Sequence, residues 1–200
     1  MPSSQRPAPT PGDACYFLTL NVVDRIDVFV RPACKQVIAD ALNHFIDTQG
    51  LIIYSWCLMT GHLHLLVQTR EGQGPAGFER DFKRFTTPAV LKAIDLTVDP
   101  RRDWMLQRFE EYSMSLRKIE KYHLWQSCTG QIHIDCNQPG LLSDRIDDIH
   151  ENPVRDGIVE LQEHYVYSSA RDYAGMKGLV RVTVIQQGLG SSRFRRISAN

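Results

Sequence analysis

The sequence predicts one α+β domain in which a mainly antiparallel β-sheet is covered by helices. The chain has 200 residues, of which 42% are hydrophobic and 23% are charged, and this suits a single sizeable core. Sequence patterns follow one another in the order strand, helix, strand, strand, helices, strand, helix. Two of the strands are separated by little more than Thr60-Gly61, which is typical of a tight antiparallel hairpin.

The first half of the domain begins with a strand and a helix. The stretch from Ala14 to Val23 is β-branched and aromatic, which favours a strand. A helix is expected after it, because apolar residues recur at helical spacing between Pro32 and Gly50, a proline and a glycine typical of helix ends. The hairpin follows, with one arm over residues 51–60 and the other over residues 62–69.

The second half is predicted to be mainly helical. A glycine-rich loop over residues 72–77 leads to a helix from Phe78, which Pro88 should break or kink. The polar segment that follows contains a further helix of poor periodicity, and residues 124–135 are expected to form one or two short strands.

A last helix is predicted from about residue 141. Ser143 or Asp144 is its expected N-cap, and Asn152 should close it because the residue before a proline avoids the helical region.

The domain is expected to span residues 14–180. Residues 1–13 are rich in Pro and Ser and predict a disordered leader, and residues 181–200 form a C-terminal extension that begins strand-like and is basic at its end. There is no apolar core of a signal peptide, and no run approaches the roughly 20 apolar residues of a membrane span. The five cysteines contain no Cys-x-x-Cys pair. We therefore expect reduced cysteines in a cytoplasmic protein without a membrane partner.

Two histidines at the start of the second hairpin arm are the first candidate functional residues. His62 and His64 are two residues apart on a strand, so both side chains project to the same face and one divalent cation can bridge them. Because His-x-His is short and common, a half-buried pair without a ligand is the competing interpretation. A third ligand must come from elsewhere in the chain, and Asp148 and Asn152, one helical turn apart, are the candidates.

The stretches "LMTGHLHLLVQTR" and "DDIHENPVRDGIVELQEHYVYSSARDYAG" resemble the REP-associated tyrosine transposases, single-tyrosine, insertion-sequence-type transposases of the HUH endonuclease superfamily. The resemblance spans roughly residues 14–179 and includes "DFKRFTTPAVLKAI" and "RRDWMLQRFEEY". It implies a ferredoxin-like HUH sandwich that recognises single-stranded or hairpin DNA. It also implies a Mg²⁺ or Mn²⁺ ion bound by His62 and His64, with Asn152 completing the site, that polarises a scissile phosphodiester.

The sequence departs from this family at the nucleophile. Relatives carry a tyrosine four residues before the asparagine, and this tyrosine forms a covalent phosphotyrosine; here the position is Asp148. An aspartate would form a high-energy acyl phosphate, which does not store the bond for rejoining. The first hypothesis is therefore a DNA-binding protein with a transposase fold whose cleavage and strand transfer are impaired or lost. A smaller departure is Gly61, where relatives commonly carry asparagine; glycine suits a tight turn.

Two further hypotheses keep DNA cleavage. In one, Tyr165, Tyr167 or Tyr173 replaces the missing nucleophile, although all three also match a structural block of the family. In the other, Asp148 joins His62 and His64 in a two-histidine, one-carboxylate site that activates water for hydrolysis. A metal enzyme or ligand-binding module unrelated to DNA would show the His-x-His pair without the other matching motifs.

A DNA-binding surface must come from local clustering of charge, because Lys+Arg and Asp+Glu both number 23. The candidates are Arg80, Lys83 and Arg84 on the second predicted helix, and Arg101 and Arg102 in the polar segment. A solvated helix face is the competing interpretation. Relatives include dimers that exchange the catalytic helix and proteins that act as monomers, so a homodimer stays open.

Overall fold

The computed structural model of the protein describes residues 14–69, 74–127, 130–135 and 139–185. The predicted leader and residues 186–200 of the predicted extension lie outside these ranges. The strands are β1 (Ala14–Asn21), β2 (Ile52–Leu58), β3 (His62–Gln68) and β4 (Gly130–Asp135). The helices are α1 (Pro32–Gln49), α2 (Gly74–Asp95), α3 (Arg102–Ser115), α4 (Pro139–Arg155) and the short α5 (Ala170–Tyr173).

The four strands form one antiparallel sheet in the order β2-β3-β1-β4. Helix α1 connects β1 to β2 across the intervening β3, which is the ferredoxin-like arrangement. The predicted fold class, the β2–β3 hairpin and the helix that begins at Pro32 are confirmed.

Side chains point alternately to the two faces of the sheet, so each face carries its own hydrophobic cluster. On one face, Leu18 and Leu20 of β1 and Leu63 and Leu65 of β3 pack among buried residues of α1, α2 and α3. On the other face, Cys15, Leu66 and Ile134 pack among buried residues of α4, which are Leu142, Ile146 and Ile149. Because His62 and His64 alternate with Leu63 and Leu65, they lie on the face that α4 covers.

The hairpin turn is held against the segment that follows β1. The Val22 N–H donates to the Gly61 carbonyl at 3.0 Å, and the Phe29 N–H donates to the Thr60 carbonyl at 2.8 Å. A Cβ at Gly61 would lie 2.5 Å from the carbonyl oxygen of Arg25. Glycine is therefore required by this close approach of two backbones, a constraint that the turn prediction did not include.

Helix α4 is fixed to the sheet by a buried polar cluster. Nε2 of His150 lies 3.0 Å from Oγ of Ser55 and 2.8 Å from Oγ of Ser169, and Ser169 also accepts the Trp56 N–H. His150 is only 1% exposed, and burial lowers its pKa to about 4, so the ring is neutral at pH 7. These contacts set the rotation of α4, and with it the direction in which Asp148 and Asn152 project.

Helix α4 differs from the prediction at both ends. It begins before Ser143 and Asp144, so neither residue caps it, and it continues past Asn152 and Pro153 to Arg155. Pro153 has no N–H to donate to the carbonyl four residues earlier. The Asn152 side chain supplies donors instead, because its Nδ2 lies 2.7 Å from the Asp148 carbonyl oxygen and 3.4 Å from that of Ile149.

Helix α2 is also longer than predicted. It begins at Gly74, inside the predicted loop, and runs through Pro88 without a break. Phe82 and Val90, on either side of the proline, are both buried in the cluster that contains α1. Packing on both sides of Pro88 therefore outweighs the lost backbone hydrogen bond.

Two smaller expectations are corrected. Residues 181–185 form no strand, although the Thr183 N–H donates to the Ile53 carbonyl beside β2 at 2.8 Å. Cys15 is disulfide-bonded, whereas Cys34 and Cys57 are buried free thiols, so the expectation of reduced cysteines is wrong for Cys15. Within the described ranges, no helix is long and apolar enough to cross a membrane.

The Gly61 contact predicts a large effect of adding one methyl group. Gly61→Ala should lower the free energy of unfolding by about 2 kcal/mol, because the backbone of Arg25 must move to admit the Cβ. Gly130→Ala is the matched control, because a Cβ there meets nothing within 4 Å, and it should change stability by less than about 0.5 kcal/mol. Urea unfolding measures both, and equal midpoints for the two variants would contradict the contact.

Candidate metal site and nucleic-acid surface

The two histidines open strand β3 side by side. Their ring centroids are 4.7 Å apart and their planes are nearly perpendicular, at 86°. Both side chains are half-buried, on the sheet face that α4 covers. The strand periodicity therefore brings the two imidazoles together as predicted.

Residues of β1 orient the His64 ring. Oγ1 of Thr19 lies 3.0 Å from Nδ1 of His64, and the Phe17 ring stacks on the imidazole with 5.8 Å between centroids. When the Nδ1 proton is donated to the Thr19 hydroxyl oxygen, Nε2 carries the lone pair that can bind a cation. Thr19 thus has the position of a residue that orients a metal ligand.

Both imidazoles are held in the neutral form. Burial, and secondarily the positive charge of Arg25, lower the pKa of His62 to about 4, against the opposing effect of Asp156 and Asp27. Burial, the neighbouring His62 and Arg25 lower the pKa of His64 to about 3. A metal-binding histidine must be neutral, so the site has the required protonation state at pH 7 without assistance.

The side chain of Asn152 is half-buried and oriented by its own helix. Because its Nδ2 donates to two α4 carbonyls, its Oδ1 is the acceptor end of the amide. Among the described residues, no three His, Cys, Asp or Glu side chains form a group that could hold a metal ion. Imidazole nitrogens and amide oxygens are both ligand types that divalent cations accept.

Asp148, where the sequence resemblance leads us to expect a tyrosine, is paired with two arginines. Its Oδ2 lies 3.3 Å from Nη1 of Arg145, and its Oδ1 lies 3.3 Å from Nη2 of Arg155. The structure does not bring this carboxylate to His62 and His64 as a third ligand. The hypothesis of a two-histidine, one-carboxylate site is not supported, because the Asp148 carboxylate pairs with the guanidinium groups of Arg145 and Arg155.

Arg145 connects Asp148 to the histidines and was not predicted from the sequence. Its guanidinium carbon lies 5.8 Å from the centre of the Phe17 ring, which in turn stacks on His64. Its Nε is buried and has no hydrogen-bond partner among the described residues. The helical spacing of Arg145 and Asp148, three residues apart, is the only signal that could have indicated it.

The candidate substitute tyrosines have structural contacts. The Tyr165 hydroxyl donates to the Leu58 carbonyl at 2.7 Å, and burial raises its pKa. The Tyr173 hydroxyl donates to the Tyr54 carbonyl at 2.9 Å, and burial raises its pKa to about 12. Tyr167 is half-buried, with Nζ of Lys35 4.8 Å from its ring centre. None of these observations favours a nucleophile.

A second surface is a groove of about 930 Å³ between α2 and the segment over residues 118–127. Its lining includes five basic residues, here called the basic groove residues: Arg80, Lys83, Arg84, Lys118 and Lys121. Two acidic residues, Glu79 and Glu120, and the rings of Tyr122 and His123 also line it. The structure thus gathers the first three predicted cations with two further lysines.

The predicted cations differ in how accessible their charge is. The side chains of Arg80 and Arg84 are 74% and 80% exposed, and both pair with Asp81, at 3.2 and 3.5 Å. Lys83 is only 13% exposed and is paired with Glu79.

Arg101 and Arg102 do not line the basic groove. Arg101 pairs with the buried carboxylate of Asp99 at 2.9 Å, and its hydrogen bonds lower the pKa of that carboxyl. Arg102 lies 2.6 Å from both Asp95 and Asp103. Arg101 and Arg102 therefore lie apart from the groove that the other three predicted DNA contacts line.

Two solved structures resemble this chain in fold. One is a REP-associated tyrosine transposase bound to a REP hairpin, with 17% identity and a TM-score of 0.49 over 98% of this chain and 99% of that chain. The other is a candidate transposase from Deinococcus radiodurans R1, with 15% identity and a TM-score of 0.36 over 67% of this chain and 88% of that chain. These values do not assign a function. No family model and no curated protein matches the chain.

The burial of the two histidines predicts their titration. In metal-free protein the imidazole resonances of His62 and His64 should show no midpoint between pH 5.5 and 8, because burial disfavours the protonated ring and moves both midpoints to about 4 and below. Proton NMR across this range measures both rings. A midpoint near 6.5 for either ring would contradict the burial of the pair.

Proposed function

We propose that this chain is a transposase-like protein of the REP-associated tyrosine type that binds single-stranded or hairpin DNA and lacks the covalent nucleophile. The observation that carries the proposal is the pairing of His62 and His64 under a helix whose nucleophile position holds Asp148, tied between Arg145 and Arg155. The sequence resemblance over roughly residues 14–179 supplies the identity of the DNA substrate.

His62, His64 and Asn152 would hold Mg²⁺ or Mn²⁺ in this proposal, and the ion would polarise a phosphate oxygen when bound. Residues of this chain would set the protonation state and the orientation of the two imidazoles. Burial keeps both imidazoles neutral, and Thr19 fixes the His64 ring. The positive charge of Arg25, which acts on both histidines, favours the approach of a phosphate.

The loss of covalent cleavage follows from the state of Asp148. Its carboxylate shares its charge with two guanidinium groups, and attack on phosphorus would give a high-energy acyl phosphate. Tyr165 and Tyr173 donate their hydroxyl protons to backbone carbonyls and have raised pKa values, so they do not replace it. The protein would recognise the DNA of its relatives and leave it intact.

The basic groove would hold the DNA backbone. Arg80 and Arg84 project into solvent beside Lys118 and Lys121, so phosphates can reach all four charges. Tyr122, with Nζ of Lys121 5.0 Å from its ring centre, offers an aromatic face to an unpaired base. Every residue named here belongs to one chain, so the proposal requires no homodimer. A cytoplasmic location remains a prediction from the sequence.

Salt-dependent binding of a labelled DNA hairpin tests the proposal. The dissociation constant should rise steeply between 50 and 200 mM salt, because binding releases counterions from the phosphates. Arg80→Gln/Arg84→Gln should reduce the slope of log K against log salt by about 1.4 to 1.8, since each phosphate contact contributes about 0.7 to 0.9.

The matched control is Arg102→Gln, which removes a partly exposed arginine that does not line the groove. Its slope should equal that of the unmodified protein. Absence of DNA binding, or binding that does not respond to salt, would refute the proposed function. An unchanged slope in the double variant would refute the basic groove as the DNA surface.

A further inference from the structure

One buried oxygen on the histidine face has no hydrogen-bond partner among the residues that the structure describes. Oδ1 of Asn21, the last residue of β1, is buried and accepts no hydrogen bond within the described part of the chain. A buried carbonyl left without a donor costs about 1–3 kcal/mol. Such a group in a folded protein calls for an explanation, and a bound ion is one of the few available.

Asn21 lies next to the histidines across the β1–β3 ladder. The register pairs Asn21 with His62 and Thr19 with His64. Because the Thr19 hydroxyl reaches Nδ1 of His64, residues 19 and 21 of β1 lie on the histidine face. Directly opposite residues have Cβ atoms about 4.5–5.5 Å apart, so the Asn21 amide is within reach of a cation held by the imidazoles.

The backbone around Asn21 is held on both sides. Its carbonyl accepts the Gln126 N–H at 2.8 Å, and the next residue, Val22, donates to the Gly61 carbonyl at 3.0 Å. The strand end is therefore tied to the hairpin turn that precedes His62. A side chain on such a support is placed with little freedom, as a metal ligand requires.

We propose that Asn21 is a metal ligand, and that its Oδ1 binds the same divalent cation as His62, His64 and Asn152. The inference rests on the proposed function, because it requires a cation at the histidines. Two imidazoles and two amide oxygens carry no charge, so they would leave the charge of the cation for phosphate oxygens to neutralise. The uncancelled charge of the ion makes the metal and the DNA phosphate bind cooperatively, since each neutralises the other.

Mn²⁺ titration of the full chain by calorimetry tests this role. Asn21→Leu removes the oxygen with little change of volume and should weaken Mn²⁺ binding by about 10- to 100-fold, at least the loss expected for residues that only support a ligand. Asn21→Asp should bind Mn²⁺ at least as tightly as the unmodified protein, because a carboxylate oxygen replaces the amide oxygen. The matched control is Asn43→Leu, which removes an amide that bonds to the Leu179 carbonyl and should leave Mn²⁺ affinity unchanged.

Stability without metal separates a ligand from a structural amide. The metal-free Asn21→Leu protein should unfold at a urea concentration equal to or above that of the unmodified protein, because the substitution removes an unpaired buried carbonyl. If Asn21→Leu binds Mn²⁺ normally while His62→Ala/His64→Ala does not, Asn21 is not a ligand. The proposed metal site at His62 and His64 would then still be supported. If the unmodified protein binds no Mn²⁺, the metal site of the proposed function and this inference both fall.

Discussion

The register between β1 and β3 is the constraint on which both the core and the candidate site depend. Pairing Thr19 with His64 and Asn21 with His62 places these polar residues under α4, while the leucines between them fill the opposite core. A slip of one residue would exchange the two faces, placing the leucines under α4 and the imidazoles in the opposite core. The contact between Gly61 and the backbone of Arg25 holds the turn from which β3 starts. The core that stabilises the fold therefore also positions the candidate ligands.

The second constraint is the rotation of α4, which decides the direction in which Asp148 and Asn152 project. The buried bonds of His150 to Ser55 and Ser169 fix this rotation from the far side of the helix. Asn152 then contributes to the helix itself by donating to carbonyls beside Pro153, so a candidate ligand also lets α4 continue past a proline. Asp148 is drawn into an ion-pair cluster with two arginines. The carboxylate at position 148 is therefore paired with guanidinium groups on α4.

Local periodicity predicted much of this molecule. The strands, α1, the hairpin and the shared face of His62 and His64 follow from patterns of two or four residues. Side-chain partners distant in sequence were not predictable. Pro88 and Pro153 lie inside helices because tertiary packing and one amide compensate for them, and Arg101 is neutralised by Asp99, an ion pair that its charge alone does not indicate. The Thr19-x-Asn21 spacing repeats that of His62-x-His64, but only the register shows that the two pairs meet.

The most direct test of the account is a covalent-adduct assay with a labelled single-stranded DNA hairpin and Mn²⁺, resolved on a denaturing gel. The unmodified protein should bind the hairpin and form neither adduct nor cleavage product. Asp148→Tyr should restore a phenol at the nucleophile position and form a phosphotyrosine adduct, and this adduct should disappear when His62→Ala/His64→Ala is added. Metal-dependent cleavage by the unmodified protein that is lost with the histidines, with or without an adduct, would contradict the loss of the nucleophile.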